Sequence, residues 1–140
     1  MNNLSGKVPP TNKALCDQST KEEMHIDPTS TGVSRIEMEG VARNIATFTE
    51  RELIKCVKFD DKYNIHGRKV FIKIDVEGYE LKVLRGMETA LRDNQVVLQV
   101  EVLTEEHQES ILKFLTSVGY RALEDDDDDC RFTNFDPSLF

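Results

Sequence analysis

Hydrophobic positions are scattered up to about residue 50 of this chain and then fall into clear periods. Residues 1–40 are rich in Pro, Ser, Thr, Asn and charge, with Pro9, Pro10 and Pro28 as breakers, which predicts an irregular region over 1–50 carrying one or two short strands. From Glu52, Leu53, Lys55, Val57 and Phe59 alternate with Ile54, Cys56 and Lys58, the period of a strand, and Asp60 and Asp61 end it. Val70, Phe71, Ile72, Ile74 and Val76, interrupted only by Lys73, predict a mostly buried strand over 70–76. Gly78 permits a tight turn, and Leu81, Leu84, Met87 and Leu91 lie on one helical stripe that Gly86 breaks near its end. Asp93 and Asn94 stop that helix. Val96, Val97, Leu98, Val100 and Val102 then make a strand too apolar to have one wet face.

Thr104 is placed to cap a second helix, with Glu105 and Glu106 at the positive end of its dipole and Ile111, Leu112, Leu115 and Val118 as its buried stripe. Gly119 closes it. Residues 120–123 and 131–135 flank an acidic run and predict a hairpin. Strands alternating with helices of this length imply right-handed crossovers, so the expected class is α/β, a sheet of parallel strands with crossover helices and a C-terminal antiparallel hairpin.

Composition narrows the partners. At 140 residues the chain is one domain able to bury a core without disulfides or structural metal. A net charge of -8 and a pI near 4.9 argue against nucleic acid or an anionic membrane as the partner, since both require a basic face. Cys16, Cys56 and Cys130 are far apart and form no C-x-x-C pair, which argues against a disulfide framework or a zinc site. Neither a secretion signal nor a run of about 18 apolar residues is found, so the expectation is a cytoplasmic protein.

The candidate chemistry lies at strand ends. Asp75 and Glu77 fall at the carboxyl end of the 70–76 strand and Glu101 near the end of the next, where open α/β sheets bind ligands. Acids meeting there repel, which raises a pKa or invites a divalent cation, and one of them could serve as a general base. Against this, Asp75 could cap the following turn while Glu77 or Glu80 pairs with Lys73, Lys82 or Arg85 at the surface. Glu80 reads as a first-turn acid that offsets the helix dipole. His107, in the first turn of the second helix, could reach the same crevice, although such a histidine is more often exposed, and His25 and His66 read as loop residues. The acids at 124–129 lack the spacing and central Gly of a calcium loop and read as a solvated hairpin loop. Phe132, Phe135, Leu139 and Phe140 form an apolar tail, part of which is expected to pack on the sheet.

The run I-K-I-D-V-E-G-Y-E-L-K-V-L-R-G, followed by V-V-L-Q-V-E-V and then V-G-Y, resembles the carboxyl half of an FkbM-type methyltransferase domain over about residues 57–123. The resemblance implies a partial Rossmann-like methyltransferase sheet over 51–140, S-adenosylmethionine as cofactor, and O-methylation of a sugar or small-molecule acceptor, with Asp75, Glu77 and Glu101 as catalytic residues. Such domains carry a glycine-rich loop after their first strand. Here Gly6, Gly32 and Gly40 stand singly and no G-x-G occurs, so these residues are not expected to bind the cofactor or act alone. Ser5-Gly6-Lys7-Val8 weakly resembles the stretch after the family's third strand. The alternatives are a non-catalytic binding or interaction module on a truncated fold, and an acid cluster used with a metal for hydrolysis. In the family's sheet the 70–76 strand lies beside the first strand, which is missing here. Its open edge is therefore expected to be covered by residues 52–59 folding back, by a complementing chain, or, as favoured, by a second copy in a homodimer.

Overall fold

The computed structural model describes residues 11–28, 34–36, 50–123, 130–136 and 138. Within them the alternating segment around Leu53 is a strand, but it belongs to a sheet of its own. That sheet comprises β1 (Ala14–Leu15), β2 (Thr20–Ile26), β3 (Arg35–Ile36) and β4 (Glu50–Val57) in the order β1-β4-β2-β3. β4 runs antiparallel to β2 from Thr20↔Cys56 to Ile26↔Glu50, and parallel to β1. The sequence of β2, T-K-E-E-M-H-I, is too polar to announce a strand, and its ladder with β4 is what orders it. Residues 1–50 thus hold more sheet than their composition suggests. His25 is correspondingly a buried strand residue and not a loop residue.

The second sheet follows the expected series. β5 (Lys69–Ile74) leads through α2 (Glu80–Arg85) and α3 (Glu88–Asp93) to β6 (Gln95–Val100), and α4 (Glu105–Ser117) leads on to the hairpin of β7 (Arg121–Ala122) and β8 (Cys130–Thr133). A single turn, α1 (Phe59–Lys62), precedes them. The strand order is β5-β6-β8-β7, with β5 and β6 parallel from Lys69↔Gln95 to Ile74↔Val100 and β8 antiparallel to both β6 and β7. The α/β class therefore holds, while parallel pairing is confined to β5 with β6 and β1 with β4 among the described residues. Gly86 divides α2 from α3, and Thr104 caps α4 by accepting the His107 N–H at 3.2 Å.

One core joins both sheets: Cys16 and Cys56 from the first pack in the same cluster as Val83, Leu84, Leu91, Leu98, Ile111 and Leu115. Two expectations of burial fail. Leu112 is 43% exposed, on the flank of α4 beyond the Ile111 and Leu115 stripe. In the 70–76 segment Ile74 is buried, but Phe71 is 56% and Val76 37% exposed. Burial alternates along β5, with Lys69, Phe71 and Lys73 on its exposed face and Val70, Ile72 and Ile74 on the other, and Val76 lies beyond the strand. β5 is an edge strand, paired only with β6 among the described residues. Residues 52–59 do not fold back onto that edge, because β4 is engaged with β1 and β2. Of the apolar tail, Phe132 is buried and Phe135 half-buried, whereas Leu139, Phe140, the acids at 124–129 and the Ser5-Gly6-Lys7-Val8 stretch lie outside the described residues.

The two sheets meet at the helix break. A β-carbon on Gly86 would stand 1.9 Å from the Cys16 carbonyl oxygen, a distance no packed atom tolerates. Nearby, the Asp60 N–H donates to the Gly86 carbonyl at 3.1 Å. The Asp60 carboxylate caps α3 by accepting from the Thr89 and Ala90 N–H groups at 2.8 and 3.1 Å. The L-R-G motif thus ends in glycine because backbone from β1 lies directly against it. Gly86→Ala should push the sheets apart and cost about 3 kcal/mol, at the upper end of overpacking penalties. A urea titration checks this, and an unchanged midpoint would contradict the contact.

Burial of the seam also ties stability to pH. Loss of solvation, with the Cys16 thiol beside it, pushes the Cys56 thiol from 9.0 up to about 12. Burial likewise raises the Tyr79 and Tyr120 phenols. Between pH 9 and 12 the unfolded chain sheds protons that the native chain keeps, so this stability is fully present below about pH 9 and is lost as pH rises toward 12. Urea midpoints should fall steadily across that window. At pH 8, Cys130, which is half-buried, should react with a thiol reagent well before Cys16 or Cys56, which are buried.

Candidate functional site

Between the open edge of β5 and the first sheet lies a cavity of about 940 Å³, at the upper end of the range usual for small-molecule sites. Leu15, Met24, Ile36 and Ile54 line it from the first sheet, and Tyr79, Val83 and Met87 from the helix side. Its polar contribution comes from Lys13, Arg35, Lys73, Asp75 and Glu77. The wall between them is β5 itself, which has one unpaired edge among the described residues.

Of the three acids read from the sequence, two reach this cavity. Asp75 lines it, and its carboxylate lies 3.4 Å from Lys73 Nζ, an ion pair whose half-exposed partners hold it weakly. Glu77 lines it too, half-buried, and its φ of 55° makes it the one non-glycine residue with left-handed backbone among those described. Glu101 donates its backbone N–H to the Ile74 carbonyl at 3.0 Å, which places its backbone beside Asp75, but it is not among the residues lining the cavity. No group of three His, Cys, Asp or Glu side chains placed to hold a metal ion occurs among the described residues.

Glu80 departs most from its sequence reading. Far from being a surface acid that offsets a dipole, its side chain is 1% exposed. Oε1 accepts from the Gly78 N–H at 3.0 Å and the Val76 N–H at 3.3 Å. Oε2 stands 3.4 Å from Nδ1 of His107, whose ring is only 12% exposed. His107 is therefore also not the exposed histidine its position suggests. Its Nε2 and Glu80 Oε2 are buried without a hydrogen-bond partner. The Thr104 cap fixes where His107 falls, and the turn at Gly78 fixes Glu80, so the pair links the start of α4 to the start of α2. The signal that could have revealed it is the G-x-E spacing, which brings a carboxylate back over the amides of its own turn.

A parallel strand-helix-strand unit returned by an antiparallel hairpin, with an acid turn at the strand end beside a cavity, defines an α/β domain. The family model for the methyltransferase FkbM domain matches residues 2–122, and the chain belongs to that family. The match extends the resemblance over 57–123 back through the first sheet. Among solved structures the chain is similar to methyltransferase FkbM from Methylobacillus flagellatus KT, at 15% identity and a TM-score of 0.56, a likeness of fold. The alignment covers 94% of this chain and 30% of that one, so the chain spans less than a third of that protein. None of the curated proteins compared matches it. No described helix is long and apolar enough to cross a membrane.

S-adenosylmethionine is the cofactor this family implies, and the cavity has room for a molecule of that size. Among the described residues lining it none is a glycine, however. The described residues do not complete a cofactor cradle.

Removing the imidazole in His107→Leu leaves Glu80 Oε2 buried with no ionic partner and should cost about 2 kcal/mol. Lys73→Ala, which breaks only the exposed pair with Asp75, should cost about 0.5 kcal/mol or less. Urea denaturation of the two variants side by side checks the ranking, and equal costs would contradict it.

Proposed function

We propose that this chain is the acceptor-side portion of an FkbM-type methyltransferase, at which a hydroxyl of a sugar or small metabolite is placed for O-methylation. The observation that carries the reading is the cavity along the unpaired edge of β5, with Asp75 and Glu77 among its lining residues. A carboxylate there can accept the hydroxyl proton, provided the acceptor comes within hydrogen-bond reach. Lys73 beside Asp75 offsets the charge that two neighbouring acids would otherwise concentrate. Glu101, at the end of the adjacent strand, is the third acid of the proposed set.

The methyl donor calls for residues that bring a glycine-rich loop to the cavity, and the same residues would supply the strand that β5 lacks. In their absence a second copy is the proposed cover for the edge, giving a closed two-fold dimer. Calorimetric titration of the chain alone with S-adenosylmethionine should give no one-to-one isotherm at micromolar affinity, and light scattering should read a dimer. Fused to the amino-terminal part of a complete family member, the chain should bind the cofactor and support transfer of labelled methyl to a sugar hydroxyl. Asp75→Asn or Glu77→Gln should reduce that transfer by about 100-fold or more. A micromolar isotherm from the chain alone would overturn the incompleteness of the site. A fusion that binds cofactor without transferring methyl to any hydroxyl would overturn the enzyme reading in favour of a binding module.

A further inference from the structure

The turn after β5 contains a conformation that its sequence does not favour. Glu77 has φ 55°, in the left-handed region that glycine enters freely and a residue with a long side chain does not. The amides on either side of it, Val76 N–H and Gly78 N–H, converge on a single atom, Oε1 of Glu80, at 3.3 and 3.0 Å. Backbone amides turned inward on one point in this way form a concave nest that elsewhere receives a free anion. Here the anion is built in and sealed, with the Glu80 side chain 1% exposed and His107 against its other oxygen.

We propose that Glu80 is a positioning residue. Its buried carboxylate holds the amides of the residues before and after Glu77, keeps that residue left-handed against its preference, and so keeps Glu77 on the cavity wall. Two facts favour this over a purely structural role for Glu80. An ordinary turn would carry glycine or asparagine at the left-handed position, and would then need no clamp. The residue held in the unfavourable conformation is also one that lines the cavity. Backbone outliers that persist because their surroundings over-determine them concentrate at functional sites. The inference rests on the proposed function for the use made of Glu77, and on the geometry alone for how Glu77 is held.

The test compares the full chain with Glu80→Met, Glu80→Gln and Glu77→Gly by nuclear magnetic resonance and urea denaturation. Glu80→Gln keeps one carbonyl oxygen for the two amides and should preserve a positive φ at Glu77 and slow exchange of the Val76 and Gly78 amides. Glu80→Met removes the acceptor, and in a chain that remains folded Glu77 should revert to negative φ, with exchange of both amides at least about tenfold faster. Glu77→Gly relieves the strain while leaving the clamp in place, so its unfolding equilibrium constant should fall about fivefold with both amides still protected. A folded Glu80→Met chain that keeps Glu77 left-handed would overturn the proposal. So would a Glu77→Gly chain less stable than the parent, and this second criterion holds even if Glu80→Met fails to fold. None of these readouts involves cofactor or acceptor. Inactivity of the fusion would therefore count against the methyltransferase reading and leave the clamp standing, whereas loss of the clamp would leave that reading intact.

Discussion

The close approach of the Gly86 backbone to the Cys16 carbonyl is the constraint on which the rest of the molecule depends. It lets the chain stop α2, turn and start α3 at the point where β1 crosses, and the Asp60 cap of α3 locks the same junction from the β4 side. Without that approach the first sheet would have no apolar surface to bury its Cys16 and Cys56 face against, since both belong to the cluster centred on α2, α3 and β6. A small, polar sheet of this kind is not stable by itself, and its order is borrowed from the second.

Among the described residues β5 has one unpaired edge and the cavity beside it has no glycine in its lining. A strand with this apolar content is normally paired on both sides, and leaving Phe71 56% exposed on an unpaired edge invites association with another chain. In a sheet that continued past β5, the same edge would be interior and the adjoining loop would face the same cavity. The alignment that covers only 30% of a related methyltransferase is consistent with that continuation lying in a part of the family's domain that these residues do not include. Among the described residues an unpaired edge of β5 and a cavity lining without glycine thus occur together.

The parts of the fold that were legible in the sequence are those whose burial is periodic. β4, β5, β6 and α4, the break at Gly86, the Thr104 cap and the terminal hairpin all follow from spacing, because each has one face in the core. β2 was not legible, because a strand held by its ladder alone can be as polar as T-K-E-E-M-H-I. At the site, Asp75 and Glu77 could be placed from the strand end, since position along a strand survives uncertainty in register by a residue or two. Glu80 and His107 were not placed, because the G-x-E spacing allows an acid to fold back over its own turn without requiring it. Whether that acid points to water or back over its own turn depends on what covers it, and the covering group comes from α4, 27 residues further along in the sequence.

A buried carboxylate is costly unless its oxygens are met, and a single histidine is a modest counterpart for one. Glu80 is tolerated because two amides that would otherwise be unpaired need the same oxygen. A β-turn satisfies only its last N–H from the backbone, here Tyr79 donating to the Val76 carbonyl at 3.3 Å, so the Val76 and Gly78 amides depend on the Glu80 oxygen. The left-handed φ of Glu77, with that of Gly78, closes this turn, and a glycine at the first position would adopt it at lower cost. The proposed clamp explains how a residue with a long side chain stands there instead: the Glu80 oxygen holds the turn, and Glu77 is among the residues lining the cavity.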